Sequence, residues 1–552
     1  MGAAVVESAL NMPSAHLDRF VRDRVPPSEQ LPRLLFDLPA LQFGAQLNCA
    51  TELLDRWVLQ GQGDRTAVLG TAPDGTPIRW TYTDLQAHAN RIANVLVNSL
   101  GLVPGNRVLL RGANSPMLAA CWFGVVKAGG IAVGSMPMLR ARELTGIVAK
   151  AEITHALVDV RLSDEITLAR PTCPTLAHLL HFNGDTRSGL EAAMAAQAAS
   201  FTNVDTAADD TCLIAFTSGT TGQPKAALHF HRDVMAACAC WPPHVLRADP
   251  NDRVIGSPPL AFTFGLGGLL LFPMSIGAAS VLVERATPDA LPAAIARHRA
   301  TICYTSPTAY RAMAGQLAGH DLSSLRKCVS AGEALPSATR NLWRDSTGIE
   351  LIDGIGSTEL LHIFISATEE QARGGATGHV VPGYEACVVD DDGKRLPPGQ
   401  VGRLAVRGPT GCKYLADERQ KSYVQNGWNL TGDAYLIDPT DGQFVYQART
   451  DDMIISGGYN IAGPEVESAL MLHDAVAECG VVGVADAERG QIVKAFVVLK
   501  PGYAADAEMA KALQDFVKQT VAPYKYPRAV EFRNSLPRTE TGKLQRFKLK
   551  NG

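Results

Sequence analysis

The most constraining feature of this sequence is a short apolar run that leads directly into a loop rich in hydroxyl groups and glycine. The run covers residues 212–216, and the nine residues from 217 to 225 read T-S-G-T-T-G-Q-P-K. An apolar run of this length predicts a buried strand. The loop then presents backbone N–H groups, hydroxyls and one ammonium to a small volume, which suits a polyphosphate. The residues predicted to hold it are Thr217, Ser218, Gly219, Thr220, Thr221, Gly222 and Lys225.

This loop differs from the phosphate loop of kinases and transport ATPases. That motif, G-x-x-x-x-G-K-[ST], requires a hydroxyl residue after its lysine, whereas Lys225 follows proline and precedes Ala226. The sequence therefore indicates another class of phosphate site. An ordinary Ser/Thr/Gly surface loop is the alternative interpretation.

Strand-like and helix-like segments alternate through the first four hundred residues. Residues 107–110 predict a strand, and Asn114-Ser115-Pro116 predicts the start of a helix that reaches Lys127. Residues 302–304 and 327–330 repeat the pattern. Such alternation predicts an α/β fold of mostly parallel sheets covered by helices. Ligands then belong at the carboxyl ends of strands, where the glycine-rich strings at 217, 331 and 354 fall.

The pattern changes after Arg449. Residues 464–472 and 506–519 predict helices, and residues 476–484 and 493–499 predict strands. This is a small α+β unit of ordinary domain size, and a chain of 552 residues is too long for one core. We therefore predict a large domain over 1–448 and a small domain over 449–552.

Bulk properties exclude several classes of protein. A net charge of −4 argues against a general nucleic-acid binder. Eleven cysteines without a C-x-x-C pair favour reduced thiols in the cytoplasm over a disulfide framework or a zinc site. Charged residues precede any long apolar run, which argues against a signal peptide.

One uncharged segment is long enough to span a bilayer. Residues 257–283 contain no charged side chain. The segment also contains three prolines and four glycines, which suit a buried loop, helix and strand better than a single membrane span. We therefore expect no membrane association.

Five more strings follow the phosphate loop. Together with the loop at 217–225 they resemble, in order, the motifs of the adenylate-forming superfamily, which contains acyl-CoA synthetases, luciferases and the adenylation domains of peptide synthetases. The resemblance covers nearly the whole chain. The strings are S-A-G-E-A-L-P at 330–336, D-G-I-G-S-T-E at 353–359, T-G-D at 431–433, R-T-D-D at 449–452 and P-R-T-E-T-G-K at 537–543.

The resemblance implies an ATP-dependent reaction in two steps. A carboxylate attacks the α-phosphate of ATP, which releases pyrophosphate and leaves an acyl-adenylate. The thiol of CoA then attacks the acyl carbon and releases AMP. The first step gathers negative charge at one phosphorus, so it requires cations and oriented donors there. Mg²⁺ is the implied cofactor, and CoA is the implied co-substrate.

The resemblance also assigns roles to single residues. The phosphate loop would hold the β- and γ-phosphates, Thr358 would contact the α-phosphate, and Glu359 would bind Mg²⁺, which favours carboxylate oxygens. Asp433 would accept hydrogen bonds from both ribose hydroxyls, and Arg449 would support the ribose and phosphate side. The adenine slot would be lined by Gly332, Glu333, Asp353, Gly354, Ile355 and Gly356, with Ser357 in the same ATP site.

The small domain is implied to move between the two steps. Lys543 would bridge the carboxylate and the α-phosphate during adenylation. The domain would then rotate about Asp451 and bring up a CoA face formed by Ser456, Gly457, Gly458 and Tyr459. The chain from residue 521 onward contains eight Lys and Arg residues and two Glu residues. This basic segment is either a solvated tail or a surface that binds the phosphates of ATP and CoA.

Two positions depart from the family pattern. Ile355 stands where an aromatic residue often stacks on adenine, so adenine must rest on an aliphatic surface. Arg538 stands where lysine is usual; the charge is kept, and the sequence alone gives this difference no meaning. The string around 353–364 resembles the benzoate-type aryl-CoA ligases.

The predicted acid pocket is apolar. Phenylalanines beside glycines make a flat slot that suits an aromatic ring, and the absence of charge argues against a second carboxylate or an amino acid. Strings at the start of the chain and around 455–467 resemble 2-aminobenzoate–CoA ligases, so 2-aminobenzoate and benzoate are both candidates, with His362 or Thr263 facing an ortho amino group. The pocket residues are Ala261, Phe262, Thr263, Phe264, Gly265, Gly356 and His362.

Two other functions stay open. An adenylating enzyme that loads its acid onto a separate carrier protein would have the same motifs. A non-catalytic nucleotide-binding relative would be expected to lack Lys543, Glu359 or Asp433, and all three are present. The expected partners are an aryl acid, ATP and CoA, without nucleic acid, in a monomer or homodimer.

Overall fold

The computed structural model describes residues 13–184, 187–217, 224–456, 459–486, 489–538 and 544–550. The strands in this part of the chain are β1 Thr66–Thr71, β2 Pro77–Thr81, β3 Arg107–Arg111, β4 Ile131–Ser135, β5 His155–Asp159, β6 His178–Phe182, β7 Thr211–Thr217, β8 Lys225–Phe230, β9 Arg253–Gly256, β10 Ala279–Val281, β11 Ile302–Thr305, β12 Lys327–Ala331, β13 Leu351–Gly356, β14 Ile363–Ser366, β15 His379–Val380, β16 Glu385–Val389, β17 Gly402–Arg407, β18 Val424–Gln425, β19 Trp428–Ile437, β20 Phe444–Arg449, β21 Ile454–Ser456, β22 Tyr459–Ile461, β23 Val476–Asp486, β24 Gly490–Leu499 and β25 Ala529–Phe532. The α-helices are α1 Arg56–Leu59, α2 Tyr82–Asn94, α3 Pro116–Lys127, α4 Ala141–Ala151, α5 Ser163–Ala169, α6 Leu190–Ala195, α7 His231–Trp241, α8 Thr263–Leu266, α9 Phe272–Ser275, α10 Leu291–His298, α11 Pro307–Met313, α12 Ser337–Thr347, α13 Gln420–Tyr423, α14 Gly463–Leu470, α15 Ala507–Thr520 and α16 Arg546–Lys550.

Two large sheets form the body of the molecule. One has nine strands in the order β15-β14-β13-β12-β11-β9-β10-β1-β2, and the other has six in the order β6-β5-β3-β4-β7-β8. Their central neighbours pair in parallel, while β2, β8, β14 and β15 add antiparallel edges. The predicted α/β class with mostly parallel sheets is confirmed.

Local sequence signals explain where several helices begin. Ser115 caps α3, accepting a hydrogen bond from the backbone N–H of Leu118 (3.3 Å), and proline occupies the first helical position. Ser306 caps α11 in the same way, and Asp506 caps α15 by accepting from the Met509 N–H. These hydroxyl and carboxylate caps satisfy N–H groups that the first turn leaves without partners.

A third, five-stranded sheet was not predicted from the sequence. It is antiparallel, with β16-β17-β19-β18 in line and β20 on β19. It spans residues 385–449 and ends on Arg449. Burial in this sheet is mixed: β16 and β17 contain runs of buried residues, whereas β19 and β20 combine buried and half-buried positions without a regular period.

The last part of the chain builds its own sheet and core. Strands β22-β21-β24-β23, with β25 on β24, form a five-stranded sheet. Helices α14 and α15 supply buried residues to its core, including Val466, Leu470, Leu513 and Val517. The structure thus has a smaller C-terminal unit beside the large one, while the boundary at 448/449 stays a prediction.

Two further expectations concern the uncharged segment and the thiols. Residues 257–283 form the turn after β9, the short helices α8 and α9 and the strand β10. Among the described residues, no helix is both long and apolar enough to cross a bilayer. The eleven cysteines are free thiols, ten of them buried.

Candidate active site

The predicted phosphate loop connects two paired strands. Thr217 ends β7 and Lys225 begins β8, and the two are register partners in an antiparallel pair. The loop therefore closes a hairpin at the edge of the six-stranded sheet. Ser218, Gly219, Thr220, Thr221 and Gly222 lie outside the described residues.

A tyrosine joins the lysine of this loop to the predicted Mg²⁺ ligand. The Tyr414 hydroxyl donates to Glu359 Oε1 (2.5 Å), and Lys225 Nζ lies 3.3 Å from the same hydroxyl oxygen. Burial, with Glu359 beside it, raises the pKa of Tyr414, so the tyrosine stays protonated and can donate. Tyr414 is held in place because its backbone bridges β8 at Ala227.

Glu359 suits a hard cation. It lies in a 3₁₀ turn, Thr358–Leu360, whose start is capped by Ser357 Oγ accepting from the Leu360 N–H (3.2 Å). Glu359 is 8% exposed, so its carboxylate has a fixed position. A buried carboxylate beside a lysine fits Mg²⁺ held together with phosphate oxygens. Thr358, the predicted α-phosphate contact, precedes it in the same turn.

The predicted ribose residues lie opposite each other on two strands. Asp433 in β19 and Arg449 in β20 are register partners, and Arg449 Nη1 donates to Asp433 Oδ1 (3.2 Å) and to the Thr431 carbonyl (3.1 Å). Gly432 has φ +76°, and a Cβ there would lie 2.6 Å from Arg449 Nη2. The positive φ favours glycine at this position, and an added side chain would also displace the end of the arginine.

The predicted adenine residues lie at the carboxyl ends of β12 and β13, which form the adenine edge of the nine-stranded sheet. β12 and β13 are parallel neighbours, so Gly332 and Glu333 after β12 lie beside the end of β13. Burial raises the pKa of Asp353 to about 7, and its Oδ1 has no hydrogen-bond partner among the described residues. The remaining predicted residues of this site are Gly354, Ile355 and Gly356 in β13 and Ser357 directly after it.

His362 lies in a cluster of aromatic rings. Its ring centroid is 4.5 Å from that of Phe272, 5.6 Å from Phe264 and 5.7 Å from Trp241. Its Nε2 lies 3.4 Å from the Phe264 carbonyl oxygen, and its Nδ1 has no hydrogen-bond partner in the described part of the chain. Burial lowers the pKa of His362 to about 3. The imidazole is therefore neutral at physiological pH.

A small apolar cleft lies along the segment that directly precedes Phe264. Its wall includes the predicted residues Ala261, Phe262 and Thr263, and no charged side chain lines it among the described residues. Ala215 also lines it, two residues before the phosphate loop. Phe264 and Gly265 continue the same segment in α8.

Several predicted C-terminal residues have only partial descriptions. Asp451 lies in a 3₁₀ turn, Thr450–Asp452, and its side chain is outside the described part. Ser456 is buried and pairs with the backbone of Tyr459 across the β21–β22 hairpin. Gly457, Gly458 and Lys543 lie outside the described residues, so their predicted roles stay predictions.

Sequence reasoning missed several site residues. Tyr414 has no motif around it, and only its contacts with Glu359 and Lys225 reveal it. Trp122, from α3, lines the cleft. Tyr304 packs on Phe264 (5.7 Å between centroids), and no described residue hydrogen-bonds to its hydroxyl. These residues come from distant parts of the chain, so no local pattern marks them.

A second group could bind a metal. Cys49, Cys212 and His231 are buried, with possible ligand atoms within 4.8 Å of one another. Within it, the Cys49 backbone N–H donates to His231 Nδ1 (3.1 Å), which occupies that nitrogen's lone pair. The cluster thus forms part of the core beneath β7.

Comparisons with known proteins agree with this architecture. Residues 54–414 match the family described as AMP-binding enzyme, and residues 465–543 match its C-terminal domain. A benzoate–CoA ligase of Thauera aromatica is 35% identical over 522 residues, covering 93% of this chain and 97% of the relative.

Solved structures of ligases share the fold. The anthranilate CoA ligase AuaEII, in complex with anthranoyl-AMP, is 36% identical with a TM-score of 0.88, covering 93% of this chain and 98% of that one. A benzoate CoA ligase from Burkholderia xenovorans LB400 is 32% identical with a TM-score of 0.82, covering 91% and 99%. The predicted resemblance is confirmed: this chain belongs to the AMP-binding enzyme family of adenylate-forming enzymes.

Proposed function

We propose that this chain is an ATP-dependent aryl-CoA ligase, which converts an aromatic carboxylate, ATP and CoA into aryl-CoA, AMP and pyrophosphate. The observation that carries the proposal is the cleft. It is lined by uncharged side chains and reaches Ala215, next to the phosphate loop. An apolar acid bound there has its carboxylate near the phosphates. The names of the benzoate and anthranilate ligases support an aromatic acid.

In the first step the acid's carboxylate oxygen attacks the α-phosphorus of ATP. Lys225 and the loop before it hold the β- and γ-phosphates, and Thr358 contacts the α-phosphate. Glu359, oriented by Tyr414, is the proposed ligand for Mg²⁺, which would neutralise charge on the phosphates when bound. Asp433 accepts from the ribose hydroxyls while Arg449 keeps that carboxylate in place.

Adenine recognition uses the edge formed by β12 and β13. The unpartnered Oδ1 of Asp353 can accept from an amino group, and the exocyclic amine of adenine is such a donor. Ile355 is half-buried in β13 and offers the aliphatic surface on which the base rests.

In the second step the CoA sulfur attacks the acyl carbon, and the bond between that carbon and the phosphate oxygen breaks. We propose that Lys543 serves only the first step. The face around Ser456 and Tyr459 then guides the pantetheine arm after rotation about Asp451.

Benzoate and 2-aminobenzoate are the proposed acids. Thr263 lines the cleft, and its hydroxyl can bond an ortho amino group without adding charge. Neutral His362 packs against Phe264, the next residue, and is the second candidate for that bond. An adenylating enzyme that loads a carrier protein is the second candidate, because the two reactions share the first step.

An assay of a panel of acids tests the proposal. Aryl acids should drive Mg²⁺-dependent release of AMP and pyrophosphate, with kcat/KM higher for benzoate or 2-aminobenzoate than for any fatty acid. Thioester formation should require CoA. Release of ADP, or a preference for decanoate, would contradict the proposal. AMP release without thioester formation would favour the carrier-protein alternative.

A further inference from the structure

An ion pair connects the C-terminal unit to the adenine edge of the large one. Arg538 Nη1 donates to Glu333 Oε1 (3.1 Å). Glu333 lies in the connection between β12 and α12, on the edge where β13 also ends. Both side chains are mostly shielded, with 27% of Arg538 and 17% of Glu333 exposed.

Both oxygens of the Glu333 carboxylate have partners. The Thr308 hydroxyl, from the first turn of α11, donates to Oε2 (2.7 Å), and Arg538 donates to Oε1. Thr308 thus fixes the carboxylate from the large unit's side. One carboxylate oxygen is therefore held by the large unit, and the other faces Arg538 in the C-terminal unit.

Arg538 is fixed from its own side as well. Its Nε donates to Glu478 Oε1 in β23 (3.0 Å). The guanidinium therefore joins two carboxylates through different nitrogens, which its planar fork permits. A lysine has one side-chain nitrogen and cannot bond both carboxylates with the same geometry. This gives a structural reason for arginine instead of lysine at this position.

The contact bears on Lys543 through chain connectivity. Arg538 forms an isolated antiparallel bridge with Leu544, and the Gln545 N–H donates to the Pro537 carbonyl (2.9 Å). Lys543 directly precedes Leu544 in the sequence, so the stretch of chain that carries it begins and ends at these two bridged residues. The ion pair that holds Arg538 at the adenine edge therefore also keeps this stretch of chain near the predicted ATP site.

We propose that Arg538 is a positioning residue for adenylation: its ion pair with Glu333 holds the segment carrying Lys543 at the nucleotide site. The inference rests on the proposed function. It also requires the pair to break before the thioester step, because that step uses another face of the C-terminal unit. Arg538 itself touches no substrate in this account.

The test separates the half-reactions. Adenylation is measured as acid-dependent exchange of pyrophosphate into ATP, and thioester formation as a single turnover from synthetic benzoyl-adenylate and CoA. Arg538→Ala should lower adenylation about fivefold or more, the scale of one well-formed ion pair, and leave thioester formation at the parent's rate. Arg538→Lys should give an intermediate adenylation rate.

Charge exchange and a matched control sharpen the test. Glu333→Arg alone should lower adenylation, and combining it with Arg538→Glu should restore part of the lost rate. Arg533→Ala is the control, because Arg533 pairs with Glu531 within the C-terminal unit and should leave both half-reactions unchanged. Equal loss of both half-reactions in Arg538→Ala, or no loss in either, would overturn the inference.

A parent protein without any acid-dependent exchange would contradict the proposed function instead. The contact is then judged by hydrogen exchange of the whole protein. Arg538→Ala should increase amide exchange in residues 332–336 of the large unit, and Arg533→Ala should not. Unchanged exchange in that segment would overturn the ion pair's role independently of activity.

Discussion

The nucleotide side and the acid side of the site are built differently. On the nucleotide side, charged groups hold one another: Arg449 donates to Asp433, and Tyr414 joins Glu359 to Lys225. On the acid side, the cleft has no charged residue among the described residues that line it, and His362 is kept neutral among aromatic rings. The first side is suited to recognising charge and the second to recognising shape.

This difference predicts separable defects. A variant on the nucleotide side should change the KM for ATP and leave the KM for the acid unchanged. A variant on the acid side should do the reverse. The predictions below test that separation.

The largest effect is expected for Asp433→Ala. The ribose hydroxyls lose a charged acceptor worth about 1.5–3 kcal/mol, so the KM for ATP should rise at least tenfold while the KM for the acid stays constant. Initial-rate kinetics with each substrate varied would show this. An unchanged KM for ATP would remove Asp433 from the site.

On the acid side, Gly267→Ala should act without touching ATP. A Cβ at residue 267 would lie 2.4 Å from His362 Cδ2, and overpacking of this kind costs about 1–3 kcal/mol. The kcat/KM for benzoate should fall by the factor to which this free-energy cost corresponds, while the KM for ATP should be unchanged. Gly146→Ala is the control, because nothing lies within 4 Å of the added carbon there; a similar loss in both variants would contradict a pocket-specific effect.

Tyr414→Phe should have a smaller effect on the nucleotide side. It removes the hydroxyl that orients Glu359 at a cost of about 1 kcal/mol, and the aromatic ring is kept. The concentration of Mg²⁺ needed for half-maximal rate should rise severalfold, and binding of Mn²⁺–ATP followed by electron paramagnetic resonance should weaken to the same extent. Equal binding in parent and variant would show that Glu359 is oriented by other means.

The last prediction concerns the stability of the fold and its dependence on pH, and not the kinetics. The folded-state pKa of Asp353 is raised to about 7 by burial, so the folded protein holds a proton that the unfolded chain has already lost. The parent's stability should therefore decline as pH rises from about 4 to 7, whereas Asp353→Asn lacks this loss. The melting temperature of the variant minus that of the parent should increase over this range and level off above it. A constant difference would indicate that Asp353 stays ionised in the folded protein.

Much of the fold could be predicted because its signals are local. The apolar run before Thr217 is the strand β7, and the Ser115-Pro116 pair does begin α3. The antiparallel sheet over residues 385–449 was missed because its strands share no regular period of apolar residues, and such segments resemble loops.

The candidate site could be predicted only in part. The ordered motifs of the sequence are enough to locate the Asp433–Arg449 pair and the turn of Glu359. Tyr414 and Arg538 act through side-chain contacts between residues 55 and 205 positions apart. No pattern of spacing reports such contacts, because they depend on how separate elements pack.

The central claim is that the acid's oxygen becomes bonded to the α-phosphorus of ATP. The most direct test supplies benzoate labelled with ¹⁸O in its carboxylate, with ATP and CoA, and determines the label in the products by mass spectrometry. We predict one labelled oxygen in AMP, because the later break between the acyl carbon and that oxygen leaves it on the phosphate. Unlabelled AMP, or label in inorganic phosphate, would contradict an acyl-adenylate and with it the account of the whole site.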